Sequence, residues 1–158
     1  MSITTKTGDD GKSRWSGKVV VKDSPLLEAV GTLDELQASL GVLSAKSTVL
    51  SKIQKDLYEI MGVIAYGSIF NLQTSIFNLE KETQELEKNL GPITGFLIFK
   101  NKEAREINWV RTVCRRCERR LVTLSQSQQI DPNILIYINR LSDYLFMMAR
   151  LREEATAR

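Results

Sequence analysis

Histidine is missing from this chain altogether, and that one absence removes several kinds of chemistry. Ser-His-Asp and Cys-His nucleophilic machinery is excluded, as is zinc held through histidine. Di-iron helical bundles, whose ligands come as Glu-x-x-His pairs, are excluded as well. An enzyme with this composition does not rely on a general base working near neutrality. Cysteine is scarce: Cys114 and Cys117 make neither a disulfide framework nor a closed zinc site. A reducing, cytoplasmic compartment is therefore expected. Three prolines and nine glycines leave little material for linkers, which favours one domain with its own core. No apolar run approaches the ~20 residues of a membrane span, and no apolar segment of signal-peptide type follows Met1. The formal net charge of +3 is too small to argue by itself for nucleic acid or a membrane surface.

What the chain does have is helical periodicity. After a polar, glycine-containing stretch over residues 1–24, read as loop or extended chain, Pro25 suits the first turn of a helix. Leu26, Ala29, Val30, Leu33, Leu36, Leu40 and Leu43 then recur at helical spacing. Ile53, Leu57, Ile60, Met61 and Ile64 mark a second helix, and Ile76, Leu79, Leu86 and Leu90 a third. Gly91-Pro92 stops the third. Phe96-Leu97-Ile98-Phe99 reads as a buried connection. A fourth helix runs from about Glu103 to Ser125, and Asp131-Pro132-Asn133 starts a fifth. The sum is an all-α bundle of about five helices.

On the fourth helix, at about 100° per residue, Ile107, Val110, Cys114, Cys117 and Leu121 form a core stripe. Both cysteines read as small buried residues. Arg111, Arg115, Glu118 and Arg119 form a second stripe beside it. Guanidinium groups stacked turn above turn suit a polyphosphate, since each offers a planar fork to phosphate oxygens. Spacing alone favours the plainer reading, a solvated basic face with Glu118 pairing internally. On the fifth helix Asn139, Asp143, Phe146 and Arg150 share one face, which suits either ligand contact or a buried polar network fixing register. Asp34 and Glu35 on the first helix read as a carboxylate for an arginine or as surface acids. TKTGDDGKS near the N-terminus has glycines, hydroxyls and lysines fit for phosphate, with Lys22 a further candidate, but lacks the spacing of a Walker A loop.

Taken in order, TKTGDDG, VKDSPLLEAVGTLDEL, RTVCRRCERR and NRLSDYLF resemble the PduO-type ATP:cob(I)alamin adenosyltransferases, from about Thr5 to Arg150. The resemblance implies a five-helix bundle of ferritin-like, up-and-down arrangement over 25–155, with an N-terminal nucleotide-binding segment over 1–24. It implies a homotrimer with active sites between subunits. ATP would be the co-substrate, with Mg2+ on its phosphates rather than on protein ligands, and cob(I)alamin the acceptor. By motif match Thr5, Lys6, Thr7 and Gly8 line the nucleotide, with Ser13 and Lys22 nearby. Arg115, Arg116, Glu118 and Arg119 take the RRxER positions and Asn139 the NRLSD asparagine. Asp34 and Arg111 match a pair formed across the subunit interface. Phe96 matches a phenylalanine that presses on the lower face of the corrinoid.

Such a reaction needs no histidine. The reduced cobalt is itself the nucleophile, and the protein has to position the reactants and neutralise the leaving triphosphate. A corrinoid reductase and an adenosylcobalamin-dependent enzyme are the partners this would imply. The chain departs from the family beside Phe96. Phe99-Lys100-Asn101-Lys102 stands where a proline and paired glycines are usual, in a segment one residue shorter. Asn108 replaces a common histidine, and Arg14-Trp15 replace smaller residues. The ATP half is thus expected to be better preserved than the corrinoid half. An ATP- and corrinoid-binding sensor or chaperone of weak turnover is the alternative. A nucleic-acid-binding basic helix is disfavoured because Glu118 interrupts its patch.

Overall fold

A computed structural model describes residues 4, 6–43, 48–93 and 95–156. Five helices follow a short hairpin: β1 (Lys12–Trp15), β2 (Lys18–Val21), α1 (Pro25–Leu43), α2 (Thr48–Tyr66), α3 (Gln73–Leu90), α4 (Lys102–Ser125) and α5 (Pro132–Thr156). The five-helix bundle expected from the periodicity is present. The hairpin was not read from the sequence, because its four-residue strands are too short to establish an alternating pattern. It turns on Ser16 and Gly17, both at positive φ (47° and 78°), the combination a two-residue hairpin turn with the native strand twist requires. Trp15 pairs with Lys18, and Lys12 with Val21.

Contacts between helices fix the directions. Glu28 and Glu35 on α1 meet Arg120 and Arg116 on α4, so these helices are antiparallel. Glu118 meets Asn139 and Arg111 lies over Phe146, so α4 and α5 are antiparallel too. Glu80 and Leu90 on α3 meet Arg140 and Arg150 on α5, which makes that pair parallel. The core between them includes Leu33, Leu36, Leu40, Leu57, Ile60, Leu121, Ile138, Leu141 and Leu145, all fully enclosed. Each such side chain contributes about 1.5–3 kcal/mol on leaving water. Tyr137 is also enclosed and donates its hydroxyl to buried Asp56 at 3.2 Å, tying α5 to α2.

The helix ends follow local chemistry. Asn101 caps α4 by accepting from the Ala104 amide at 3.1 Å, the N-cap role that asparagine favours. Pro132 opens α5 after Asp131, whose carboxylate accepts from the Asn133 amide at 2.9 Å. Gly91 ends α3 at φ 69°, its amide bonded to the Glu87 carbonyl at 2.9 Å, a left-handed position where a Cβ is disfavoured. The connection that follows corrects one expectation. Only Phe99 of the Phe96–Phe99 run is buried, edge-on to Phe146; Leu97 and Ile98 are exposed, and Phe96 is 96% exposed. Four successive apolar residues in an extended segment cannot all face one core. No described helix is long and apolar enough to cross a membrane.

Candidate functional site

The residues singled out on α4 fall on two flanks of that helix. The buried stripe Ile107, Val110, Val113, Cys114, Cys117 and Leu121 separates them. Towards α5 stand Arg111, Arg115 and Glu118; towards α1 stand Arg116 and Arg120. Adjacent arginines in one motif therefore have different surroundings. Arg116 donates to Glu35, and Arg120 meets Glu28 at 3.3 Å. These pairs stitch α4 to α1 on the side away from Arg115.

On the α5 flank a polar chain crosses three helices. Arg115 approaches Glu118 Oε2 at 2.6 Å as an ion pair, while Oε1 of the same carboxylate accepts from Asn139 Nδ2 at 3.1 Å. The Asn139 oxygen accepts from Arg140 at 2.9 Å, and Arg140 donates to Glu80 at 2.7 Å. Glu118 thus orients both a candidate phosphate arginine and the candidate asparagine. The buried-network reading of Asn139 and the ligand reading are compatible in this geometry. Sequence reasoning missed Arg140 and Glu80, because no spacing rule relates α3 to α5. Arg119 is exposed, and its side chain has no partner among the described residues.

Arg111 and Arg115 open onto a hollow of about 510 Å³ shared with Thr83, Ile93, Asp143 and Phe146. The Arg111 guanidinium sits 5.8 Å above the Phe146 ring centre, a favourable cation–π placement. Its Nε donates to Asn108 Oδ1 at 2.9 Å. The asparagine that departs from the family's usual histidine is therefore an orienting acceptor for Arg111. Two guanidinium groups opening onto one hollow offer charge and forked donors to an anion.

The N-terminal segment and Asp34 lie elsewhere. Lys22 Nζ donates to the Gly8 carbonyl at 2.6 Å, and the Lys22 amide to the Gly11 carbonyl at 2.9 Å. A Cβ on Gly8 would come within 2.9 Å of Lys22 Nζ, so glycine permits this close approach. Lys6 is at φ 57° and, like Thr7, is exposed; Ser13 is half-buried on β1. Thr5 lies outside the described residues. The hairpin leans on the end of α2 through Ser16, which donates to the Ala65 carbonyl at 2.9 Å, and through Trp15 stacked on Tyr66. Trp15, Tyr66 and Asp34 line a second hollow of about 670 Å³ with Val30, Tyr58 and Met61. Asp34 is on the α2 side of α1, while Arg111 is on the flank of α4 that faces away from α1. Within one chain these two residues do not meet.

Phe96 projects from the segment between α3 and α4 and is exposed, with no ring partner among the described residues. The cysteines are inert by environment: burial raises the Cys114 thiol well above its ordinary range and pushes Cys117 up to about 12, against a hydrogen bond with Thr32.

The site therefore has two halves on different faces, one of glycines, lysines and a carboxylate, the other of arginines, an acid and an asparagine. Known proteins resemble this chain over nearly its whole length. The cobalamin adenosyltransferase family matches residues 3–152. The corrinoid adenosyltransferase MMAB of Bos taurus is 34% identical over 94% of this chain and 70% of its own length. The corrinoid adenosyltransferase of Bacillus subtilis is 34% identical over 96% and 86%. Against the corrinoid adenosyltransferase PduO of Salmonella typhimurium the identity is 33%, and the chain spans 50% of that protein's length. Among solved structures, a variant PduO-type ATP:corrinoid adenosyltransferase from Lactobacillus reuteri complexed with cobalamin and ATP superposes with a TM-score of 0.89 at 28% identity, covering 99% of this chain and 93% of its own. With its motifs, helix order and near-complete match, this chain belongs to the PduO-type cobalamin adenosyltransferase family.

Proposed function

We propose that the protein transfers the 5′-deoxyadenosyl group of ATP to the cobalt of a reduced corrinoid, cob(I)alamin, forming adenosylcobalamin and releasing triphosphate. The cobalt electron pair forms the bond to C5′ as the C5′–O5′ bond breaks, and the displaced electron pair leaves on the triphosphate. No proton transfer is needed at the reacting carbon, in keeping with a chain that has no histidine. The observation that carries the reading is the flank of α4 where Arg111 and Arg115 share one hollow, with Arg115 paired to Glu118 and Glu118 to Asn139. Donors held this way are already aimed before charge develops on the leaving group, which is where electrostatic preorganisation acts.

In this reading Thr5, Lys6, Thr7, Gly8, Ser13 and Lys22 hold the nucleotide, with magnesium accompanying its phosphates. Arg115, Arg116, Glu118, Arg119 and Asn139 complete that site, and Phe96 presses on the lower face of the corrinoid. The active assembly is a homotrimer whose sites form between subunits. The opposite facing of Asp34 and Arg111 supports this, because a neighbouring copy has to bring them together. The cytoplasm is the proposed compartment, consistent with two unpaired cysteines. A reductase supplying the low-valent cobalt and an enzyme consuming adenosylcobalamin are the proposed partners. An anaerobic assay with chemically reduced cobalamin, ATP and magnesium tests the activity by the absorbance change to adenosylcobalamin, and sedimentation velocity tests the assembly. Absence of enzyme-dependent product would overturn the reading.

A further inference from the structure

The last turns of α5 hold both ends of the segment that carries Phe96. Arg150 is only 6% exposed; it donates to the Leu90 carbonyl at 3.1 Å and the Gly91 carbonyl at 3.2 Å, where α3 ends. Glu154 accepts from the same guanidinium at 3.2 Å. Three residues after Arg150, the Glu153 carboxylate accepts from the Lys100 amide at 3.0 and 2.9 Å and from the Asn101 amide at 2.9 Å, where α4 begins. One turn before Arg150, Phe146 packs edge-on against Phe99 at 6.2 Å. Phe146, Arg150 and Glu153 thus form a single stripe along α5, each gripping a different point of the α3–α4 connection.

The charges are placed with the right sign. A helix C-terminus presents unpaired carbonyls and favours a cation, and a helix N-terminus presents amides and favours an anion. Arg150 meets the first and Glu153 the second. Between these anchors Phe96 and Ile98 are exposed. A segment lacking helix or strand hydrogen bonds is ordinarily mobile. Here it is fixed at its two ends and at Phe99, while its apolar tip stays free for a partner surface. Lys100 and Asn101 belong to the stretch that departs from the family pattern, so Glu153 secures the part of the loop that this sequence has altered.

We propose that Arg150 and Glu153 are positioning residues for the corrinoid half of the site, clamping the α3–α4 connection so that Phe96 is presented to the corrinoid. The proposal rests on the functional reading above. It makes the C-terminal end of α5, remote in sequence from Phe96, a determinant of corrinoid affinity and leaves nucleotide affinity alone. Phe146 joins the two halves, since it supports Phe99 on one side and carries the Arg111 guanidinium on the other.

Glu153→Ala is the testing variant, because Glu153 is half-buried at the surface end of α5 and its loss spares the core. In anaerobic kinetics the expected result is a rise of about tenfold in KM for cob(I)alamin with KM for ATP unchanged, short of the ~10²-fold that a 1 Å misplacement can cost. Glu153→Gln, which keeps one acceptor oxygen, should fall between the two. In a Phe96→Ala background the Glu153→Ala penalty should vanish, because both changes then act on the same contact. Unchanged corrinoid kinetics, equal losses for both substrates, or the same penalty without Phe96 would each overturn the clamp. Hydrogen exchange gives a readout independent of turnover: the Lys100 and Asn101 amides should exchange faster in Glu153→Ala. Unchanged exchange refutes the clamp even in a protein that turns over normally. An inactive wild type with accelerated exchange in the variant would instead refute the proposed activity and leave the clamp standing.

Discussion

Replacing Arg115 by alanine separates catalysis from folding on this scaffold. The side chain is 45% exposed, and it forms an ion pair with Glu118 at 2.6 Å. An ion pair this open to solvent contributes at most about 1 kcal/mol. Glu118 keeps its bond to Asn139 through Oε1. Its buried Oε2, which makes no hydrogen bond, loses its ion-pair partner and gains access to water where the half-exposed Arg115 side chain stood. For a chain of this length, 1 kcal/mol shifts Tm by about 2–4 °C, and the observed shift should not exceed that. The catalytic cost is larger. A preorganised donor aimed at developing charge is worth about 3 kcal/mol, and at 1.36 kcal/mol per factor of ten this is a loss of roughly 160-fold in turnover. The assay follows adenosylcobalamin formation from chemically reduced cobalamin under saturating ATP and magnesium. A loss of less than about threefold, with ATP still bound, would refute the phosphate role, because an exposed surface arginine gives that result. A collapse in Tm beyond ~5 °C would show that Arg115 holds the fold and that its kinetics cannot be read as chemistry.

Asp34→Asn should lower turnover by about tenfold or more, as expected for a lost charge-assisted hydrogen bond, while thermal unfolding of the separated chain is unchanged; normal steady-state kinetics would remove the pair with Arg111. Phe96→Ala should cost no stability, since the ring is exposed, and should slow adenosylation without altering ATP affinity by calorimetry; equal loss of both would make Phe96 a packing residue. Cys117 has its thiol raised by burial to about 12. The unfolded chain loses that proton first, so the associated stability is intact below about pH 9 and falls as pH rises towards 12. Urea midpoints between pH 7 and 10.5 check the direction, and native protein should resist thiol reagents at pH 8. Asp56→Ala would leave the enclosed Tyr137 hydroxyl without its acceptor, a cost of about 1–3 kcal/mol read from the urea midpoint. No loss there would mean that the hydroxyl has found another acceptor.

Much of this protein was legible in sequence because its signals are local. Leucine and isoleucine spacing determines the five helices, Gly91-Pro92 and Asp131-Pro132 their breaks, and the order of TKTGDDG, RTVCRRCERR and NRLSDYLF the family. The absence of histidine likewise restricts the chemistry without any coordinates. Tertiary structure decided what depends on residues distant in the chain. It sent Arg116 to Glu35 and Arg115 to Glu118, a split between neighbours that only the two flanking helices can make. It turned Phe96, Leu97 and Ile98 outward and kept Phe99 in, because an extended segment exposes successive side chains to different surroundings. It placed Asp34 and Arg111 on opposite flanks, and it brought Arg150 and Glu153 to the two ends of one connection. Periodicity fixes which face of a helix is apolar; which polar groups meet across helices is set by packing, and no spacing within one segment encodes it.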